Sequence, residues 1–152
     1  MVDIHVHKAK VIDCIRLARD LRPEDVVEMQ AAFPGVDYAD VLKYQIECDE
    51  TSLSVYFGGD IAAIYGCKAT QADPSVGVPW MMGSKILRKH PRLVIEASSH
   101  LLYEWLQEFE RLENMVSEKA TANIRFLRAL GFEVSSPQDG YCLFSLEGVD
   151  VF

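Results

Sequence analysis

The stretch Asn123-Ile124-Arg125-Phe126-Leu127-Arg128-Ala129-Leu130-Gly131-Phe132 decides the fold. Its apolar residues recur at helical spacing and predict a helix over residues 122–130. Gly131 predicts the end of this helix, because glycine readily adopts the left-handed conformation that closes one. The segment 132–134 then predicts a short strand. A helix that leads straight into a strand indicates a mixed α and β architecture.

The segments on either side of this helix extend the same layout. Residues 141–146 predict a strand that pairs with 132–134, and residues 112–117 predict a strand before the helix. Residues 92–109 predict the main helix packed on the sheet. Its predicted buried face consists of Leu93, Ala97, Leu101, Trp105 and Phe109, with Leu102 and Leu106.

The N-terminal half predicts three helices and a strand hairpin. The first helix has apolar residues at the spacing of one face, namely Val11, Ile12, Ile15, Ala18 and Leu21. Pro23 suits the start of a second helix that runs to Ala32, and Asp37 suits the cap of a third over 38–47. Alternating residues 53–57 and the run 61–67, joined by Gly58-Gly59-Asp60, predict a β-hairpin. Residues 78–82 predict the next strand.

Length and composition bound the class of protein. The chain has 152 residues, of which 49% are hydrophobic and 25% charged, so we expect one globular domain over residues 1–152. The predicted fold class is α+β, a mixed twisted sheet with helices on both faces. The longest apolar runs are far shorter than the roughly 18 residues that cross a bilayer, which predicts no membrane span. The first twenty residues lack the features of an export signal.

Charge and cysteine content limit the possible partners. The formal net charge is −8, so there is no strong signal for nucleic-acid binding, although a local basic patch is compatible with it. Cys14, Cys48, Cys67 and Cys142 form no CxxC pair, and we expect four buried free thiols in a reducing compartment. A disulfide framework and a cysteine-based zinc site are both unexpected.

The order of the predicted elements, together with the segment 123–132, resembles the GCN5-related N-acetyltransferase (GNAT) superfamily, whose fourth-helix motif ends in Leu-Gly-Phe. More narrowly, four segments resemble, in the same order, a family of small GNAT-like proteins from tailed phages and prophages, the small internal virion protein family of short-tailed phages. These segments are 21–25, the hairpin at Gly58-Gly59, 79–83 and 124–127. The resemblance implies a GNAT fold over about residues 20–146.

The chain departs from the motifs of active GNAT enzymes. Active enzymes of that superfamily typically carry a Gln/Arg-x-x-Gly-x-Gly/Ala loop, and its backbone N–H groups hold the coenzyme A pyrophosphate. Residues 82–87 contain a single glycine there. In the motif of active enzymes an Asn contacts the cofactor and a Tyr acts as general acid for the departing thiolate. The corresponding residues here are Ala120, whose side chain cannot hydrogen-bond an amide, and Leu127, whose side chain cannot donate a proton. The resemblance therefore implies a retained fold, no cofactor and a lost or altered activity.

A basic cluster supports the opposite interpretation. Lys85, Arg88, Lys89, His90 and Arg92 lie where the resemblance places phosphate binding. In an acyl-CoA-dependent N-acyltransferase with a non-standard loop, Gly83 and Ser84 would supply backbone donors, and Lys85 or Arg88 would hold phosphate of acetyl-CoA. The other interpretation is a short helix over 84–90 whose charges are simply solvated.

Several other candidates have an ordinary structural explanation. His5 and His7 share a strand face and could bind a metal, but no third ligand is identifiable, so no metal site is predicted. Ser98, Ser99 and His100 diverge around a helix and cannot form a nucleophile–base pair. The segment 80–82, Trp-Met-Met, suits an acyl groove or the core. The apolar C-terminal residues Val149, Val151 and Phe152 suit a strand or a partner surface.

These observations leave three functional hypotheses. The leading one is a phage or prophage GNAT-fold protein with a structural or host-interaction role, whose partner is a phage or host protein. It would be made in the bacterial cytoplasm, with packaging into the virion left open. The second is the acyl-CoA-dependent N-acyltransferase described above. The third is a small acidic inhibitor of a host protein.

Overall fold

The computed structural model describes residues 2–148 and contains five α-helices, one 3₁₀ helix and seven strands in this range. The helices are α1 Val11–Ala18, α2 Pro23–Ala32, α3 Tyr38–Cys48, the 3₁₀ helix Lys85–Lys89, α4 Pro91–Glu108 and α5 Thr121–Ala129. The strands are β1 Ile4–Lys8, β2 Leu53–Phe57, β3 Asp60–Ala69, β4 Val76–Gly83, β5 Arg111–Ser117, β6 Glu133–Val134 and β7 Tyr141–Glu147.

The strands form one seven-stranded mixed sheet in the order β1-β2-β3-β4-β5-β7-β6. Strands β1 and β2, β2 and β3, β5 and β7, and β6 and β7 pair antiparallel, whereas β4 and β5 pair parallel. The parallel register joins Val76 to Arg111 and Gly77 to Leu112. This architecture confirms the predicted α+β class with a mixed twisted sheet.

The chain divides into two compact units that interleave in sequence. Unit 1 comprises the described residues up to Gly66 together with Trp80–His90, and unit 2 comprises Cys67–Pro79 together with the described residues from Pro91 onward. That residues 1–152 form a single domain stays a prediction.

Local signals placed most elements of unit 1. The side chain of Asp37 accepts hydrogen bonds from the N–H groups of Ala39 and Asp40, as expected of a helix cap. Helix α2 begins at Pro23 and ends at Ala32, as predicted. Gly58 has a φ of 62°, a left-handed conformation that lets the β2–β3 hairpin close in a short turn.

The buried face of α1 differs from the predicted one. Val11 and Ile12 are exposed, and the helix instead buries Asp13, Cys14 and Leu17. The apolar spacing was misleading because a buried carboxylate, Asp13, occupies the inner face and turns its apolar neighbours outward. The core of unit 1 groups these buried side chains: Cys14, Leu17, Leu21, Met29, Val41, Leu42, Tyr56, Ile61 and Ile64.

Unit 2 contains the segment that decided the fold. Helix α5 ends at Ala129, and Gly131 follows with a φ of 103°, as the glycine cap predicted. Phe132 then packs edge-on against Phe144 of β7, with ring centroids 5.1 Å apart. Strands β5 and β7 pair from Arg111 with Glu147 to Ser117 with Tyr141.

The predicted buried face of helix α4 is confirmed in part. Leu102, Leu106 and the following Phe109 are buried, whereas Leu101 and Trp105 are half-buried and Ala97 is exposed. The predicted face was broad, and the spacing of its apolar residues did not show which of them lie at its buried centre and which at its half-buried edge. The prediction that Ala97 lies on the buried face is wrong.

The cysteines differ in exposure. No disulfide joins the four cysteines, which all lie in the described part of the chain. Cys14, Cys67 and Cys142 are buried, but Cys48 is exposed at the end of α3, so its assignment to the core is wrong. Within the described part of the chain, no helix is long and apolar enough to span a membrane. Val149, Val151 and Phe152 lie outside the described residues.

Candidate functional site

Gly83, whose backbone N–H was a candidate hydrogen-bond donor to phosphate, is packed inside unit 1. Its N–H donates to the Asp25 carboxylate at 2.8 Å, and its carbonyl accepts from the N–H of Arg22 at 3.0 Å. A Cβ at this position would overlap the side chains of Leu87 and Arg22. The space beside Gly83 is therefore filled by the protein and does not receive a ligand.

Ser84 and Lys85 use their backbone donors in the same way. The N–H of Ser84 donates to the carbonyl of Ala62 at 2.9 Å, and the N–H of Lys85 donates to the carbonyl of Asp20 at 3.0 Å. The Ser84 hydroxyl donates to the carbonyl of Ile61 at 2.6 Å, and Ser84 is fully buried. The three N–H groups at positions 83–85 thus have protein acceptors and do not fit a coenzyme A phosphate cradle.

A buried ion pair fixes this end of β4. Arg22, 7% exposed, donates from Nε to the carboxylate of Asp25, 1% exposed, at 2.8 Å. The same Asp25 oxygen accepts from Gly83, so one carboxylate joins the start of α2 to the end of β4. The motif at 21–25 that carried the resemblance has this structural role in the chain.

The residues of the basic cluster predicted from the sequence do not share one site: Arg88 and His90 contact other side chains of unit 1, whereas Lys85 and Lys89 line a cleft. Arg88 donates to the carboxylate of Glu24 at 3.0 Å. Burial raises the pKa of Glu24, but its backbone hydrogen bond and the charges of Arg22 and Arg88 outweigh burial and leave that pKa below its ordinary value. His90 packs edge-on against Phe57, with centroids 5.5 Å apart. Arg88 and His90 are therefore engaged within unit 1.

Lys85 and Lys89 instead line an open cleft of about 470 Å³ in unit 1, here called the basic cleft. Its walls come from the end of α1, the β2–β3 turn and the 3₁₀ helix. The lining residues are Arg16, Arg19, Asp20, Gly59, Asp60, Ile61, Lys85, Ile86 and Lys89. Of the four residues assigned to phosphate binding from the sequence, Lys85 alone lines this cleft.

The buried carboxylate of Asp13 is the centre of a hydrogen-bond network that reaches Arg16 through Tyr56. The carboxylate of Asp13 accepts from the hydroxyl of Tyr56 at 2.5 Å, from the hydroxyl of Ser54 at 2.8 Å and from the N–H of Lys10 at 2.8 Å. Burial raises the pKa of Asp13, but these hydrogen bonds and one from His7 outweigh burial, so the pKa lies below its ordinary value of 3.8.

The network also orients the Arg16 guanidinium. Arg16 donates from Nη1 to the Tyr56 hydroxyl at 3.1 Å and lies over the Tyr56 ring. This contact raises the pKa of Arg16, so the side chain stays cationic. Burial and the hydrogen bond to Asp13 raise the pKa of Tyr56, which keeps its hydroxyl protonated as a donor.

The residues at the fourth-helix motif positions lie in unit 2. Ala120 is buried at the start of α5, and Leu127 is half-buried on the same helix. Neither side chain carries a donor or an acceptor for a thioester ligand.

The remaining sequence candidates have structural partners or lie on the surface. Trp80 donates from Nε1 to the Asp49 carboxylate at 2.7 Å, and Met81 and Met82 are half-buried. His7 approaches Asp13 at 3.2 Å, and His100 pairs with Glu104 along the surface of α4. Within residues 2–148, no group of three or more His, Cys, Asp or Glu is arranged to hold a metal ion.

Sequence reasoning missed Arg16, Arg19 and the Asp13 network. Arg16 of α1 and Arg19, the residue that caps the C-terminal end of this helix, are three residues apart and so lie on one side of it. This spacing is a usable signal, but the relation of the two arginines to Lys85 and Lys89 depends on the tertiary fold. Asp13 gives no signal in sequence because an aspartate near a helix start is usually exposed.

No family model and no curated protein matches the chain. Among solved structures, it is similar to a Thermus thermophilus protein assigned to the acetyltransferases, at 17% identity over 97% of this chain and 87% of that one, with a TM-score of 0.70. It is also similar to diaminobutyrate acetyltransferase EctA of Paenibacillus lautus, at 13% identity over 100% and 98%, with a TM-score of 0.64.

An acetyltransferase of the GNAT family from Streptococcus pneumoniae is 15% identical over 95% of this chain and 99% of that one, with a TM-score of 0.55. These identities are low, and the likeness is one of architecture over nearly the whole length of both chains. The chain has the GNAT fold.

Proposed function

We propose that the chain is a GNAT-fold protein of a phage or prophage that acts by binding a phage or host protein and does not transfer acyl groups. The observation that carries the second part is the hydrogen bonding at Gly83, Ser84 and Lys85. Each of their N–H groups already donates to an acceptor in unit 1. Backbone donors that are engaged in this way would have to break internal bonds before they could hold a pyrophosphate.

The positions of Ala120 and Leu127 support the same proposal. A transferase of this fold must protonate or otherwise stabilise the thiolate that leaves, and a leucine side chain cannot do so. The phage or prophage origin rests on the resemblance of residues 21–25, 79–83 and 124–127 to the small virion proteins. The same resemblance favours a place in the host cytoplasm during synthesis and in the particle afterwards.

The second candidate is an acyl-CoA-dependent N-acyltransferase. The fold favours it, since EctA has the same architecture and was solved with L-2,4-diaminobutyric acid and coenzyme A. In this chain such a role would depend on the exposed side chain of Lys85, because Arg88 already pairs with Glu24.

A thiol-release assay distinguishes the two candidates. The purified chain is incubated with acetyl-CoA and, in turn, spermidine, lysine and an alanine peptide, with an active GNAT acetyltransferase assayed in parallel. We expect release no faster than in buffer. Turnover above buffer that is lost in Lys85→Ala would overturn the binding proposal and favour the transferase.

The origin and location have a separate test. Particles are purified after induction of the source strain and analysed by mass spectrometry. Peptides of this chain inside protease-treated particles support packaging, and their absence from particles of a strain that expresses the chain contradicts it.

A further inference from the structure

We propose that the basic cleft binds a nucleoside diphosphate or triphosphate. This inference goes beyond the proposed function and does not depend on it, because the lining of the cleft is the same whether the chain binds a partner protein or transfers acyl groups. It rests on the charge of the lining, on the hydrogen bonds that join the walls of the cleft and on the chemistry of the residues between the cations.

The four cations of the basic cleft keep their charge available. Elsewhere Arg22, Arg88 and Arg111 each form an ion pair with a carboxylate. In the part of the chain that the structure describes, Arg16, Arg19, Lys85 and Lys89 form none within 4.0 Å. In a chain of net charge −8, four such cations around one concave surface are a local reversal of sign.

Arg16 contributes an oriented donor. Its Nη1 group donates to the Tyr56 hydroxyl, which in turn donates to the buried Asp13 carboxylate. One contact leaves other guanidinium N–H groups for a ligand, since the group has five. A guanidinium fixed in this way loses less conformational entropy when it binds phosphate.

Hydrogen bonds join the three walls of the cleft before any ligand arrives. Lys85 N–H donates to the Asp20 carbonyl and thereby ties the 3₁₀ helix to the end of α1. Ser84 donates from its hydroxyl to Ile61 and from its N–H to Ala62, which ties the same segment to β3. Ser84 and Lys85, which the sequence suggested as phosphate-binding residues, therefore connect the walls of the cleft through their hydrogen bonds.

The remaining lining residues favour a nucleotide over a simple polyanion. Asp20 and Asp60 can accept hydrogen bonds from sugar hydroxyls or base amino groups, a use of carboxylates known from dinucleotide sites. Ile61 and Ile86 offer apolar contacts for a sugar or base. A volume of about 470 Å³ lies in the range of small-molecule sites. Four cations against two carboxylates match a ligand with at least two negative charges.

The test is an NMR titration of the ¹⁵N-labelled full chain with ADP, ATP, inorganic pyrophosphate and adenosine. We expect ADP and ATP to shift the amide signals of residues 16–20, 59–61 and 85–89, with weaker binding at higher salt. Adenosine, which lacks phosphate, should bind much more weakly. Lys85→Ala and Lys89→Ala should each weaken ADP binding about tenfold, the effect of losing one charge-assisted contact.

Arg88→Ala is the matched control, since it removes a cation from the same 3₁₀ helix outside the cleft and should leave ADP affinity unchanged. Lys85, Lys89 and Arg88 are all exposed, so their loss should not prevent folding. Equal losses in all three variants, shifts outside the named residues, or no shifts at all would overturn the proposal. Pyrophosphate that binds as tightly as ADP, or an oligonucleotide that binds more tightly, would also overturn it.

The outcome is separable from that of the thiol-release assay. ADP binding at the named residues supports the inference whether or not acetyl-CoA is turned over. Thiol release without any ADP binding would contradict both proposals independently.

Discussion

Replacement of Asp13 by alanine tests how much the buried carboxylate network stabilises unit 1. The carboxylate is 1% exposed and accepts from two buried hydroxyls, those of Ser54 and Tyr56. In Asp13→Ala both hydroxyls lose the carboxylate that accepts their hydrogen bonds. Each buried polar group left unpaired costs about 1–3 kcal/mol, so for two hydroxyls we expect a loss of about 2–6 kcal/mol in the free energy of unfolding.

Urea unfolding followed by circular dichroism measures this loss. Asp37→Ala is the control, because Asp37 also accepts two hydrogen bonds but is an exposed helix cap worth about 1 kcal/mol. In the double variant Asp13→Ala, Tyr56→Phe one unpaired hydroxyl is removed, so its loss should be smaller than the sum of the two single losses. A loss for Asp13→Ala no larger than that for Asp37→Ala would refute the reasoning.

The same variant has a pH signature. The pKa of Asp13 is lower in the folded chain than its ordinary value of 3.8, so the unfolded chain takes up a proton more readily. The stability that this carboxylate contributes is therefore complete above about pH 4 and is lost as the pH falls through the lower, folded pKa. The difference between the original chain and Asp13→Ala should be constant near neutral pH and shrink below about pH 4.

Three further results are expected. Leu106→Ala should lower the free energy of unfolding by about 2–5 kcal/mol and Leu101→Ala by clearly less, in urea melts, since Leu106 is buried and Leu101 is half-buried; equal losses would contradict the observed face of α4. Gly83→Ala should cost about 1–3 kcal/mol because its methyl group would overlap Leu87, and an unchanged melting midpoint would contradict this. With iodoacetamide, mass spectrometry should find Cys48 modified first and Cys14 last, because Cys48 is exposed while burial raises the pKa of Cys14 to about 11.

The elements that the sequence predicted correctly are those with local signals. Asp37 caps α3, Gly58 allows the hairpin turn, and Gly131 closes α5, each because of a conformation or hydrogen bond within a few residues. Strand β4 begins earlier than the predicted residue 78, because Val76 and Gly77 pair with the distant strand β5. Local periodicity contains no information about that partner.

The inner faces of helices were harder to predict where apolar residues surround the axis. In α4, Leu101 and Leu102 are adjacent and compete for the core, and only the packing of unit 2 selects Leu102. In α1, a polar residue occupies the inner face because its hydrogen-bond partners come from β2 and from the backbone before the helix. Ser54, which donates a hydrogen bond to Asp13, is 41 residues away in the sequence, and no local sequence pattern indicates this contact.

The candidate site was predicted only in part for the same reason. The basic cluster 85–92 is recognisable in the sequence as a run of charges. The contacts that engage some of its residues and leave others at the cleft come from distant parts of the chain. Arg88 meets Glu24, which is 64 residues away, and Lys85 faces a cleft completed by α1. Which cations remain available to a ligand is a property of the folded chain.

The interleaving of the two units constrains how the chain can be shortened and in what order it completes its folding. The segment Trp80–His90 belongs to unit 1 but follows part of unit 2 in the sequence. On the ribosome, α1, α2 and the β2–β3 hairpin emerge first, yet Asp25 lacks its bond from Gly83, and Ile61 its bond from Ser84, until this segment has been synthesised. A product that stops at Gly66 lacks these ties. Any continuous fragment that contains both Cys67–Pro79 and the part of unit 2 from Pro91 onward also contains Trp80–His90 of unit 1.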